Sequence, residues 1–174
     1  MKRKLYSISL SFPLVLLLSF TLCCKQNNRE GITESEANAV TGQVLKMWNE
    51  GDMNAADLIY APSYVRHHPT PSVNASLDDL KNTVKANRAG FPDYNLSFDE
   101  LIIEEDKIIV WATVTGTNTA PIGERPATGK KIDMSGIYVY RLSNGKIAEE
   151  WTYFNLLSYY QQLGFTLSPP QVDE

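Results

Sequence analysis

His67 and His68 are the only imidazoles in the 174-residue chain, so any imidazole chemistry is confined to one place. An imidazole titrates at a pKa of about 6.5 and can exchange a proton at working pH, which makes His67 a candidate acid/base. Glu149 and Glu150 precede Trp151 in a stretch of strand character. Successive strand side chains face opposite ways, so one carboxylate meets the interior and the other the solvent. Burial raises the pKa of an inward carboxylate and would let it act as a base, a role for which Glu150 is the candidate. The competing reading pairs a solvated glutamate with Lys130 or Lys131 across the sheet. Two adjacent histidines on an extended strand point apart and no acidic residue has ligand spacing, so no metal site is expected.

The aromatic supply suggests a second kind of site. Trp48, Tyr64, Trp111, Tyr138, Trp151 and Tyr153, with the amide of Asn155, are the candidate lining of an apolar pocket with a few hydrogen-bonding groups. No Gly-x-Ser-x-Gly element and no glycine-rich phosphate loop is present. The two cysteines, Cys23 and Cys24, are adjacent and cannot staple distant parts of the chain.

These residues need a scaffold, and the first 23 residues are not part of it. Lys2, Arg3 and Lys4 lead into an apolar run from Ile8 to Leu22, the pattern of a secretory signal. Its ending at Cys23-Cys24 resembles a bacterial lipoprotein signal, with Cys24, or alternatively Cys23, as the lipidated residue. A lipid-anchored domain in the bacterial cell envelope is the expectation, with residues 24–32 as a flexible tether. Removing residues 1–23 leaves 13 basic and 20 acidic side chains, a net charge of −7. Such a chain lacks the basic face that nucleic-acid binding requires.

Thr33-Glu34-Ser35-Glu36 carries a capping-box signature, and Val40, Val44, Met47 and Trp48 follow at helical spacing. A helix is expected from there to Glu50-Gly51. Asp52 would cap a second over Asn54 to Tyr60, and Ser76 precedes a third that ends near Gly90. From Tyr94 the period shifts to two, giving expected strands over about 94–104, 107–119, 130–141 and 146–155. Glu105-Asp106 and Ser143-Asn144-Gly145 read as hairpin turns. A short helical segment, Leu156 to Leu163, closes the domain at 33–164, leaving 165–174 as a tail. Helices followed by an antiparallel meander imply an α+β fold with helices on one face of the sheet. One consistent facing turns Trp111, Thr113, Met134, Gly136, Tyr138, Trp151, Tyr153 and Asn155 toward a concavity.

Several motifs resemble the SnoaL-like polyketide cyclases, also called ester cyclases, of the nuclear transport factor 2 superfamily. They are Tyr64-Val65-Arg66-His67-His68-Pro69, Phe91-Pro92-Asp93-Tyr94, Gly116-Thr117-Asn118-Thr119, Ala127-Thr128-Gly129-Lys130, Tyr140-Arg141, Gly145-Lys146-Ile147-Ala148-Glu149-Glu150-Trp151 and Gln161-Gln162-Leu163-Gly164. The resemblance covers residues 33–164. It implies a cone in which a curved sheet wraps three helices around a mostly apolar pocket, with dimerisation through the sheet's outer face. It also implies cofactor-free ring closure of a polyketide-like molecule by an acid/base carboxylate near the last strand, and a pocket place for His67. Such cyclases usually carry Asp directly after the Glu-Glu-Trp element and often another three residues later, where this chain has Thr152 and Asn155. Neither exchanges a proton near neutral pH, which opens a rival expectation, a ligand-binding or interaction lipoprotein without catalysis.

Overall fold

The computed structural model describes residues 31–67 and 75–168. The expected signal segment, both cysteines and His68 lie outside the described residues. Helix α1 spans Glu34–Glu50 and opens with the expected capping box, Thr33 and Glu36 each satisfying a backbone N–H of the other. It stops at Gly51. Asp52 accepts from the N–H groups of Asn54 and Ala55 to start α2, Met53–Ile59, and Ser76 with Asp79 caps α3, Leu77–Gly90. These side chains occupy donors that a helix N-terminus leaves open.

The sheet has five strands rather than the four expected. Strand β1 is Tyr60–His67, followed after α3 by β2 Asn95–Glu104, β3 Lys107–Thr117, β4 Lys131–Ser143 and β5 Lys146–Phe154. The order is β1-β5-β4-β3-β2, antiparallel throughout except that edge strand β1 runs parallel to β5. Pro62 obscures β1 in the sequence, yet an edge strand tolerates a proline because one side of its ladder is unpaired. The β4–β5 turn places Asn144 and Gly145 at φ 53° and 73°, the left-handed pair that a two-residue hairpin requires.

Register shifts interrupt β2 between Phe98 and Glu100, β4–β5 between Arg141 and Leu142, and β1 between Tyr60 and Val65. An extra residue bends and twists a strand locally, which curves the sheet. Alternation sends Ile108, Val110, Ala112 and Val114 of β3 inward, where they join Ala37, Val44 and Met47 of α1 and Leu80 and Val84 of α3. The amide of Asn49 behaves like a strand residue, donating to the Leu96 carbonyl at 2.9 Å and accepting from its N–H at 2.7 Å, so α1 is clamped to edge strand β2. The last helix, α4, spans Leu156–Gln162.

Several of the family-resembling motifs maintain this frame. Asp93 accepts from the Thr117 N–H at 2.6 Å and hydroxyl at 2.7 Å, tying the α3–β2 turn to the end of β3. Those bonds hold its carboxyl below the usual range. Buried Asn118 donates to the Ala120 carbonyl at 2.8 Å and accepts from the Thr128 N–H at 2.8 Å, closing the 118–130 loop.

Candidate functional site

The sheet's inner face gathers a polar cluster among mostly apolar side chains. In register, Arg66 of β1 lies beside Glu150 of β5, and Tyr140 of β4 lies on the other side of Glu150. Glu150 is only 1% exposed. Its Oε1 receives Arg66 Nε at 3.1 Å and the Thr152 hydroxyl at 2.9 Å, and its Oε2 receives the Tyr64 hydroxyl at 2.8 Å and that of Tyr60 at 3.4 Å. Arg66 Nη2 also donates to Thr152 Oγ1 at 3.2 Å, closing a small ring of hydrogen bonds. A buried carboxylate is tolerable only with such company, because desolvation otherwise disfavours its charge.

The electrostatics of the cluster are coupled. Burial works against the charge on Arg66, but Glu150 and the surrounding tyrosines outweigh it, so its pKa is raised. Burial, reinforced by the Glu150 charge, pushes the phenols of Tyr60, Tyr64 and Tyr140 above the usual tyrosine value. The Tyr138 phenol is raised chiefly by burial, with Arg66 opposing. The Tyr140 hydroxyl is buried and has no hydrogen-bond partner among the described residues.

The interior around the cluster is packed with rings. Tyr138 stacks on Tyr140 at 5.7 Å and meets Phe98 at 6.2 Å and Phe154 at 5.5 Å edge-on, while Trp48 stacks on Tyr94 at 5.5 Å. The Phe154 ring rests on Gly136. A Cβ there would collide with that ring and come within 2.6 Å of the Tyr153 carbonyl. Phe154 is partly buried and directly precedes the residue that caps α4. A separate cavity of about 1000 Å³ lies between the start of α1 and the β2–β3 and β4–β5 turns, lined by residues including Ile32, Val40, Asp106, Arg141 and Leu142.

Of the residues singled out in the sequence, Glu150, Tyr64, Tyr138 and Trp48 face the interior, and the first three belong to or adjoin the cluster. The expected facing of Met134, Gly136 and Tyr138 on β4 holds, but that of β3 and β5 is one residue off. Trp111 and Tyr153, 51% and 52% exposed, stand on the outer face, as does Trp151. The Asn155 side chain accepts from the Ser158 N–H at 3.0 Å and caps α4.

His67 is likewise outside. Because Arg66 takes the inward position of β1, the next residue faces out, stacked on Trp151 at 4.5 Å and 13°. Its Nε2 meets Glu149 Oε2 at 2.7 Å, and Glu149 is held on its other side by Arg141 rather than by Lys130 or Lys131. Hydrogen bonding from Arg141, assisted by His67 and opposed by desolvation, keeps the Glu149 carboxyl below its usual pKa. The two candidate acid/base groups, His67 and Glu150, therefore sit on opposite faces of one sheet.

Sequence reasoning missed Arg66, Tyr60, Thr152 and Tyr140 as site members. A signal existed for the first. Tyr64 and Arg66 are two residues apart, and a strand carrying Tyr64 inward must carry Arg66 inward too. Among the described residues, no three His, Cys, Asp or Glu side chains assemble as a metal site.

A sequence profile of the SnoaL-like polyketide cyclases matches residues 38–163. Among solved structures, TsrD from Streptomyces laurentii is 26% identical with a TM-score of 0.69, the alignment covering 76% of this chain and 98% of that one. IdmH from Streptomyces antibioticus is 22% identical with a TM-score of 0.64, covering 74% and 99%. A SnoaL-like polyketide cyclase from Agrobacterium tumefaciens strain C58 is 15% identical with a TM-score of 0.61, covering 74% and 98%. The last two speak for the fold alone, and it is the cone-shaped α+β fold expected. No curated protein sequence matches the chain.

Proposed function

Since the chain belongs to the SnoaL-like polyketide cyclase family, we propose that its domain binds a small, largely apolar, polyketide-like molecule at the inner face of the cone. The Glu150–Arg66 cluster is the polar end of that site. One observation carries the reading: Glu150 and Thr152 share the inner face of β5 and are hydrogen-bonded to each other, so the carboxylate usual at position 152 in such cyclases has its counterpart two residues earlier. The partly buried Phe154 ring, seated on Gly136 against Tyr138, is the group that a ligand displaces on entry.

Binding without turnover is favoured over catalysis because both Glu150 oxygens already accept two hydrogen bonds each. A general base must have a lone pair within reach of the proton it takes. Cofactor-free cyclase or isomerase chemistry is the second reading, favoured by the placement of Glu150 near the family's carboxylate position; it requires Tyr64 or Thr152 to release the carboxylate.

In this proposal the protein is exported and held at the bacterial envelope by a lipid on Cys24 or Cys23, supported by the charged and apolar leader before them. It pairs with a second copy through the outer sheet face that carries Trp111 and Tyr153. Native mass spectrometry of the protein purified from its host tests the reading. A retained small molecule that F154A exchanges faster, together with acyl mass at the amino terminus, is the expected result. An empty protein that no polyketide-like compound stabilises overturns the binding site, and turnover abolished by E150Q would select the enzyme.

A further inference from the structure

An apolar surface sits apart from both the cone interior and the outer sheet face. Leu156, Leu157 and Tyr160 of α4, with Phe165 and Leu167 just after it, are all exposed. Leu156 and Tyr160 lie one helical turn apart, and Leu157 is three residues before Tyr160, so the three share a side of α4. The chain after α4 folds back onto this side. Phe165 donates its N–H to the Tyr160 carbonyl at 2.9 Å, and its ring meets the Tyr160 ring edge-on at 5.7 Å.

Two cations border the patch. The Arg125 guanidinium lies 5.8 Å from the Tyr160 ring centre, and the Lys130 side chain passes directly over Gly164. Neither takes part in an ion pair among the described residues. Both stand out in a chain whose acids outnumber its bases, 20 to 16. Exposed leucines, ring-bearing side chains suited to the headgroup level and flanking Lys or Arg form the composition of a surface that rests in a membrane interface.

We propose that the α4 end of the folded domain docks on an anionic lipid bilayer, with Leu156, Leu157, Tyr160, Phe165 and Leu167 entering the interface and Arg125 and Lys130 meeting lipid phosphates. This contact is separate from any lipid on the cysteines. The chain enters the fold at the other end of the sheet, where the Ile32 N–H meets the Glu105 carbonyl. Strand β4, 13 residues long, spans about 40 Å between the two ends. An anchor at the amino terminus alone would leave α4 free to point anywhere; docking fixes it, and with it the Phe154 side of the cone, against the lipid from which an apolar ligand would come.

The test uses the whole chain with Cys23→Ser and Cys24→Ser, carrying a single spin label at Leu157→Cys, Leu167→Cys or the exposed Leu58→Cys. Each is mixed with vesicles of phosphatidylcholine alone or with added phosphatidylglycerol. Labels at 157 and 167 should lose access to a water-soluble relaxation agent on the anionic vesicles, whereas the label at 58 keeps it. R125Q or K130Q should each lower the docked-to-undocked ratio roughly fivefold, the worth of one basic residue near such a surface. The label at 58 reports the same whether or not the amino terminus holds the protein on the vesicle. Equal access at all three positions on anionic vesicles overturns the proposal. So does shielding of 157 and 167 that grows with protein concentration in the absence of lipid, which would assign the patch to a second copy of the chain.

Discussion

Arg66 and Glu150 face each other across the single parallel pairing of the sheet, and their side chains meet at 3.1 Å in an interior built mostly of rings and aliphatic groups. Removing one member of a buried pair leaves the other charged and unmatched, typically at a cost of about 3–5 kcal/mol. E150Q and R66M should each lower unfolding stability by an amount near the bottom of that range, since Arg66 keeps a fifth of its side chain exposed. The double variant should recover part of the loss. Urea unfolding of the three proteins reads this directly, and additive losses would mean that the pair is not energetically coupled.

The tyrosine hydroxyls of the cluster should divide sharply. Y64F removes a 2.8 Å donor to a charged acceptor and should cost about 1.5–3 kcal/mol. Y140F deletes a buried hydroxyl that has no partner among the described residues, and should be neutral or stabilising by up to about 1 kcal/mol. Thermal unfolding of the two variants side by side checks the contrast.

On the outer face, the Glu149 carboxyl is held below its unfolded value by Arg141 first and His67 after it. A lowered folded pKa contributes stability that is present above the unfolded pKa, about 4.3 for glutamate, and is lost as pH falls through the folded value. E149Q should therefore flatten the acid limb of the stability profile. Denaturant midpoints measured down the acid range provide the check.

Trp111 and Tyr153 flank Ile137 on adjoining strands, each about half exposed, and pairing of two copies would cover them. In the dimer proposed above, W111E and Y153E should each convert the pair to monomer in sedimentation velocity without loss of helix or strand signal. An unchanged mass with either substitution would remove this face as the interface.

Much of the frame was legible in the sequence because its signals are local. Thr33 with Glu36, Asp52 and Ser76 with Asp79 announce helix starts within four residues, and Asn144-Gly145 announces its hairpin. Strand facing was harder. Trp111, Trp151 and Tyr153 look like core by type, yet the inner positions of β3 and β5 go to smaller or polar neighbours such as Val110, Ala112, Glu150 and Thr152. Strand β1 was hidden by Pro62, and with it the fact that Arg66 takes the inward position beside Tyr64 while His67 faces out. The partners of Glu150 at positions 60, 64 and 66 lie more than eighty residues away in sequence, beyond the reach of spacing arguments.

That separation bears on how the molecule assembles. Strand β1 has β5 as its sheet neighbour, and β5 is the last of the described strands in chain order. Contacts between distant segments form late because a long loop must close first. Helices α1 to α3 and β1 must therefore wait, with the Arg66 cation unmatched, until β5 has left the ribosome, and a chain cut before Lys146 lacks both the sheet neighbour of β1 and the Glu150 carboxylate.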